Sequence, residues 1–202
     1  MRNILLFCLL QFSFAIEYNP KNFINTFEAT YGCLQFSTKD ACQPYFPTNR
    51  FKHLHTTHNN VTIMRMGVMA NQGPHIRLSP NEFPDDTKIT EIVLSAWENT
   101  ASEMRSYVRH INKPISDLKI LKRINTPGLL NQFYPMMFTL EIDPNGNVKL
   151  IKDGDRVPLV EFQNRAISFE YIEFCHYIAP ATFFFDCPLE IDRRDCSGIV
   201  LG

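Results

Sequence analysis

An excess of either charge is missing from this chain: 20 Lys and Arg stand against 21 Asp and Glu, a formal net charge of -1 over 202 residues. With no basic surplus to neutralise phosphates, nucleic acid is not an expected partner. Glycine is thin as well. The eight glycines lie at 32, 67, 73, 128, 146, 154, 198 and 202 and form no GxG, which leaves out the strand-to-helix turn that lets backbone approach a nucleotide-like cofactor. GxSxG, HExxH, CxxC and the phosphate loop are absent too, so hydrolase, zinc protease, thioredoxin-like and nucleotide-binding chemistries lack their minimum parts. No catalytic residue and no cofactor is expected. No apolar run approaches the ~20 residues that span a bilayer as a helix. Tryptophan occurs once, at position 97.

What is present begins with an address. Met1-Arg2-Asn3 is a short positive start, Ile4 to Leu10 an apolar run, and Ser13-Phe14-Ala15 supplies the small residues a signal peptidase reads. Residues 1–15 are expected to be a signal peptide and the mature protein to be secreted. Five cysteines survive cleavage, Cys33, Cys42, Cys175, Cys187 and Cys196, and in an oxidising compartment four should pair. Spacing marks Cys33, Cys42, Cys187 and Cys196 as the disulfide set. Cys33 with Cys42 and Cys187 with Cys196 would each staple a local loop; the competing connection ties one cysteine of the first pair to one of the second. Cys175 lies in an expected strand and reads as an unpaired core thiol. Asn60-Val61-Thr62 is a glycosylation sequon in a polar stretch.

Residues 16–60 lack sustained periodicity and read as an N-terminal extension with one short strand near Tyr31 to Phe36. From 61 to 187 short apolar runs broken by turns signal an antiparallel sheet protein, and residues 188–202 form a tail. Ile92 and Leu94 share one face of a strand, and Glu91, Val93, Ser95 and Trp97 the other. Both faces are partly apolar, so the strand should be covered on both sides. Tyr134 to Ile142 alternates, Asp143-Pro144-Asn145-Gly146-Asn147 supplies a turn, and Val148 and Leu150 return. Pro158 marks the following strand as an edge or a strand end. Ala166 to Cys175 and Thr182 to Cys187 are two further strands, and Phe183-Phe184-Phe185 fits a central one. Thr100-Ala101-Ser102-Glu103 forms a capping box and Met104, Val108 and Ile111 recur at helical spacing, so local preference favours a helix over 101–112. The alternation of Met104, Ser106 and Val108 favours a strand instead.

HIRLSP at 75–80, EIVLSAWENTASEMR at 91–105 and NTPGLLNQF at 125–133, in this order, resemble the farnesoic acid O-methyltransferase domain family, with similarity from Val61 to Asp186. The resemblance implies an all-β fold, a two-sheet antiparallel β-sandwich of jelly-roll type, and it favours the strand reading of 101–112. Departures exist: Ser95-Ala96 stand where the family has Gly-Gly, a Trp is missing near Met137-Phe138, a Gly-Trp-Gly near His176 to Thr182, and a Cys at Ala70-Asn71. The family name implies methyl transfer from S-adenosylmethionine to a sesquiterpenoid acid, for which the residues supply no cofactor motif.

Candidate ligand-binding residues are His75, Glu91, Trp97 and Asn99. An indole at a strand end beside Glu98 and Asn99 could stack on a sugar ring, although a core plug under a loop is the favoured reading. His53, His55 and His58 read as a solvated loop, since no carboxylate or thiol lies nearby to complete a metal shell. Asp85-Asp86 and the turn at 143–147 could hold calcium, but turn chemistry accounts for them. The function expected is a secreted, non-catalytic binding module for an extracellular glycan or protein, metal-free and without a membrane span; the alternatives are the implied methyltransferase and a carrier holding an apolar ligand between the sheets.

Overall fold

The computed structural model describes residues 23–38, 42 and 44–189. Along the described chain run the strands β1 (Leu34–Ser37), β2 (Tyr45–Pro47), β3 (His55–Thr56), β4 (Thr62–Ala70), β5 (Pro74–Ser79), β6 (Thr87–Ser95), β7 (Ala101–Arg109), β8 (Ser116–Asn125), β9 (Met136–Ile142), β10 (Asn147–Lys152), β11 (Val160–Gln163), β12 (Tyr171–His176) and β13 (Ala181–Phe185). One sheet runs β1-β13-β4-β9-β10-β11 with β3 also on β4, and the other β2-β12-β5-β6-β7-β8. The pairings are antiparallel, and the two-sheet sandwich expected from period-two patterning is present.

Alternation explains the core. Met64, Met66, Val68, Ile92, Leu94, Phe138, Leu140, Ile172 and Phe174 all point to the space between the sheets. The phenylalanines pack on one another there: ring centroids of Phe174 and Phe183 lie 4.7 Å apart, Phe46 and Phe185 4.8 Å. Phe184 faces outward but is buried against Met137 and Cys187, so β13 is covered on both sides. At Gly67 on β4 a Cβ would collide with the Met137 sulfur, so any larger residue there would have to displace that side chain.

Where helix and strand competed over 101–112, the strand forms. Seven residues of β7 pair with Thr87–Val93 of β6, and this pairing outweighs local preference. The Thr100 hydroxyl caps no helix; it donates to the Trp97 carbonyl at 2.6 Å. In the β9–β10 turn, Asp143 Oδ1 accepts from Asn145 N and Asn147 N at 2.7 and 3.0 Å, while Gly146 takes φ 78°. After Pro158 the chain enters β11, an edge strand. Three strands arise before residue 61, and β2 occupies the edge of the six-stranded sheet.

One disulfide follows the competing connection between the N-terminal and C-terminal cysteines, and the other corrects the expected set. Cys33 bonds Cys187 and Cys42 bonds Cys175, with Cα separations of 4.1 and 4.3 Å. Neither local loop is stapled, and Cys175 is not an unpaired thiol. Sheet register is the cause: Leu34 faces Phe185 across β1–β13, so the preceding residue reaches Cys187. Tyr45 likewise faces Glu173 across β2–β12, which carries the chain just before β2 to Cys175. The expected pairing of Cys196 and the signal segment at 1–15 lie outside the described residues. No helix among those described is long and apolar enough to cross a membrane.

Candidate ligand-binding cleft

On the six-stranded sheet, the face turned away from the core carries charge in register. Tyr45, Glu173, Arg77, Glu91 and Arg105 stand opposite one another across β2, β12, β5, β6 and β7, so opposite signs alternate along the row. Glu91 is fully buried at its centre. Its Oε1 accepts from Arg77 Nε at 2.5 Å, from His75 Nδ1 at 3.1 Å and from the Tyr107 hydroxyl at 3.2 Å; its Oε2 accepts from Arg105 Nε at 2.5 Å. Glu173 accepts from Arg77 Nη1 at 2.9 Å and Arg109 Nη1 at 3.2 Å, so Arg77 bridges both carboxylates. Burial alone would push the Glu91 carboxyl up, but the His75 hydrogen bond and the Arg77 and Arg105 guanidiniums together hold it well below the usual carboxylate range. Burial and the neighbouring Glu91 charge raise the Tyr107 phenol, which therefore stays a neutral donor.

Above one end of this row opens a cleft of about 330 Å³, with Val93, Trp97, Tyr177 and Ile178 among its walls and His75 and Arg105 among its lining. Its rim is the β6–β7 turn, a single turn over Ala96–Asn99 whose backbone is left-handed at Trp97, Glu98 and Asn99 (φ 48°, 60° and 60°). Such a conformation costs roughly 1–2 kcal/mol per non-glycine residue. Its neighbours hold it: Gln72 Oε1 accepts from Glu98 N at 2.9 Å, and Asn99 exchanges hydrogen bonds with the backbone of Leu130 at 2.9 and 3.2 Å. The indole is consequently not a core plug, correcting the favoured sequence reading. Trp97 is 46 % exposed, with the Arg123 guanidinium carbon 3.8 Å from its ring centroid. Tyr177 and Ile178 are still more exposed, at 83 % and 67 %.

Of the four candidate residues, His75 and Trp97 line the cleft. Glu91 lies behind it and orients His75 and Arg105, whereas Asn99 pins the turn to the β8–β9 connection. Sequence reasoning passed over Arg77 and Arg105 as binding residues, and Tyr177 and Ile178 entirely. For the arginines a signal existed, since charges on the outward-alternating face of strands that are buried on both sides must find partners. For Tyr177 and Ile178 there was none beyond apolar residues in a turn. Asn60 is exposed in the turn between β3 and β4, bonded through N to Thr57 O at 2.9 Å. His55 is exposed on β3, and the 53–58 stretch forms none of the possible metal clusters among the described residues. Asp85 and Asp86 lie near His110, but their oxygens serve Ile111 N at 2.9 Å and His110 Nδ1 at 2.6 Å.

Fold and cleft together define an antiparallel β-sandwich module with an aromatic-walled surface site over a charged floor. The family model described as farnesoic acid O-methyl transferase matches residues 39–189, and the chain belongs to that family. No curated protein matches it. Among solved structures it is similar to the binding domain of botulinum neurotoxin DC in complex with SialylT, at 10% identity and a TM-score of 0.35, covering 82% of this chain and 45% of that chain.

The family description raises S-adenosylmethionine as a cofactor, and the cleft does not fit it. A sulfonium would face the Arg105 guanidinium, and the carboxylate nearest the cleft floor is already spent on Arg77, Arg105 and His75.

Proposed function

We propose that this protein is a secreted, non-catalytic recognition module that binds an extracellular glycan at the Trp97 cleft. The observation supporting this reading is the placement of the indole: the left-handed turn at 97–99 holds it 46 % exposed at the rim of the cleft. Flat aromatic faces offer apolar area to the C–H face of a sugar, and polar groups beside them select hydroxyls. Two disulfides support an oxidising compartment. The signal peptide at 1–15 and glycosylation at Asn60 belong to the same proposal.

The carrier alternative draws less support, because the phenylalanines that would line a cavity between the sheets stack on each other instead. A glycan array tests the main reading. The wild type should retain a defined glycan set, and Trp97→Ala should reduce that retention at least tenfold with an unchanged circular dichroism spectrum. A blank array, or ester formation from farnesoic acid and S-adenosylmethionine, would overturn it.

A further inference from the structure

The charged row on the outward face of the six-stranded sheet has a cleft at each end. Arg105, on β7, lines the Trp97 cleft, while Tyr45 on β2 and Glu173 on β12 line a second one of about 240 Å³. The second is built like the first. Phe83, in the turn between β5 and β6, is 78 % exposed at its wall, beside Pro84 and an exposed Ile111. Arg109 also lines it, and its Nη1 donates to the Tyr45 hydroxyl at 3.3 Å and to the buried Glu173 at 3.2 Å. One exposed aromatic ring therefore precedes β6 and another follows it, each at a cleft that holds a guanidinium bonded to a buried carboxylate.

Between the clefts lies Arg77, which donates to Glu91 at 2.5 Å and to Glu173 at 2.9 Å. Both carboxylates are buried, whereas Arg77, Arg105 and Arg109 are each partly exposed, so the row turns N–H donors rather than carboxylate oxygens to solvent. A guanidinium only donates, and it meets the ring, hydroxyl and bridging oxygens of a sugar chain whatever charge the sugar carries. Glu173 and Arg105 stand three strand spacings apart, roughly 14 Å at about 4.8 Å each. A single sugar ring is shorter than that and fills one cleft; a chain can fill both. We propose that the second cleft is a further sugar subsite, and that the ligand is an oligosaccharide lying across Arg77 with one unit on Trp97 and a later one against Phe83. This rests on the glycan reading above and extends it from one cleft to two. Linked contacts of this kind raise affinity because the second forms at the effective concentration set by the first.

Because Trp97 is the chain's single tryptophan, intrinsic fluorescence reports on the first cleft while ligand length probes the second. The wild type is titrated with chito-, cello-, malto- and manno-oligosaccharides of two to six units. In at least one series the six-unit member should bind at least tenfold tighter than the two-unit member. Phe83→Ala should remove most of that difference, while a thermal melt confirms folding; should it not fold, Ile111→Ser makes the same test. Equal affinity for long and short members, or a length dependence that Phe83→Ala leaves unchanged, would overturn this inference and leave the glycan reading standing. Fluorescence unmoved by every series would overturn it as well, and together with a blank array would remove both.

Discussion

Ser95 is the residue at which the chain is least comfortable. It is a non-glycine at φ 47°, fully buried, and its hydroxyl has no hydrogen-bond partner. Family resemblance places glycine at this position, where the left-handed backbone would be free of steric cost. Ser95→Gly removes about 1 kcal/mol of strain and a similar or larger desolvation cost, against some 0.5–1 kcal/mol of added chain entropy. A net gain of about 1 kcal/mol is expected, seen by calorimetry as a Tm higher by roughly 2–4 °C. Glu91 is the opposite case. Glu91→Gln leaves Arg77 and Arg105 without their shared anion and should cost about 3–5 kcal/mol in denaturant unfolding.

The sign of the pH dependence follows from the same carboxylate. Its folded-state value lies below the unfolded one of about 4.3, so the unfolded chain binds more protons as acid is added. The stabilisation from Glu91 is complete above about pH 5 and is lost progressively as pH falls. The wild type should therefore lose stability more steeply below pH 5 than Glu91→Gln does, and equal slopes would show that the arginines do not hold the carboxyl low.

At the scale of elements, β8 is the feature with an exposed cost. It is a ten-residue edge strand carrying Leu118 and Ile120, each about half exposed, the kind of edge that recruits other chains. Two register shifts against β7, between Met104 and Arg105 and between Ser106 and Val108, interrupt the ladder. Lys119, Lys122 and Arg123 place positive charge along it. Replacing Lys119 and Lys122 together by Val should produce concentration-dependent association in light scattering; a variant monomeric at every concentration would show that the bulges alone protect the edge. The same scale shows what pattern could reveal. The meander from β9 to β11 was legible because alternation, an Asn-Gly turn and a proline agreed. The stretch 101–112 was ambiguous because its capping box and its alternation disagreed, and long-range pairing to β6 settled it.

Across the whole molecule, the ends of the described chain are tied to the sandwich by covalent and ionic links. Cys33–Cys187 and Cys42–Cys175 span 154 and 133 residues of sequence, and loops of that size restrict the unfolded chain by roughly 4–5 kcal/mol each in the chain-entropy view. Arg65, 3 % exposed, pairs with Asp153 at 2.5 Å and donates to the Ala29 carbonyl at 3.1 Å. Reductant should therefore lower the unfolding midpoint sharply, and a non-reducing digest should link the peptides bearing Cys33 and Cys187 and those bearing Cys42 and Cys175. Recovery of a Cys33–Cys42 peptide would contradict this topology. Expressed through a secretory pathway, the chain should lose mass on endoglycosidase treatment, and Asn60→Gln should abolish that shift.

Sequence by itself determined the fold class, because burial on a pleated strand repeats every two residues and can be read without knowing which strands meet. It also determined that no glycine-rich cofactor turn exists, since that depends on residue type and spacing alone. Only the tertiary structure decided which cysteines pair, which charges share Glu91, and that Trp97 lies outside the core. The disulfides and the shared carboxylate depend on register between strands, a property of pairs that no single segment carries, and the placement of Trp97 depends on the left-handed turn that joins β6 to β7.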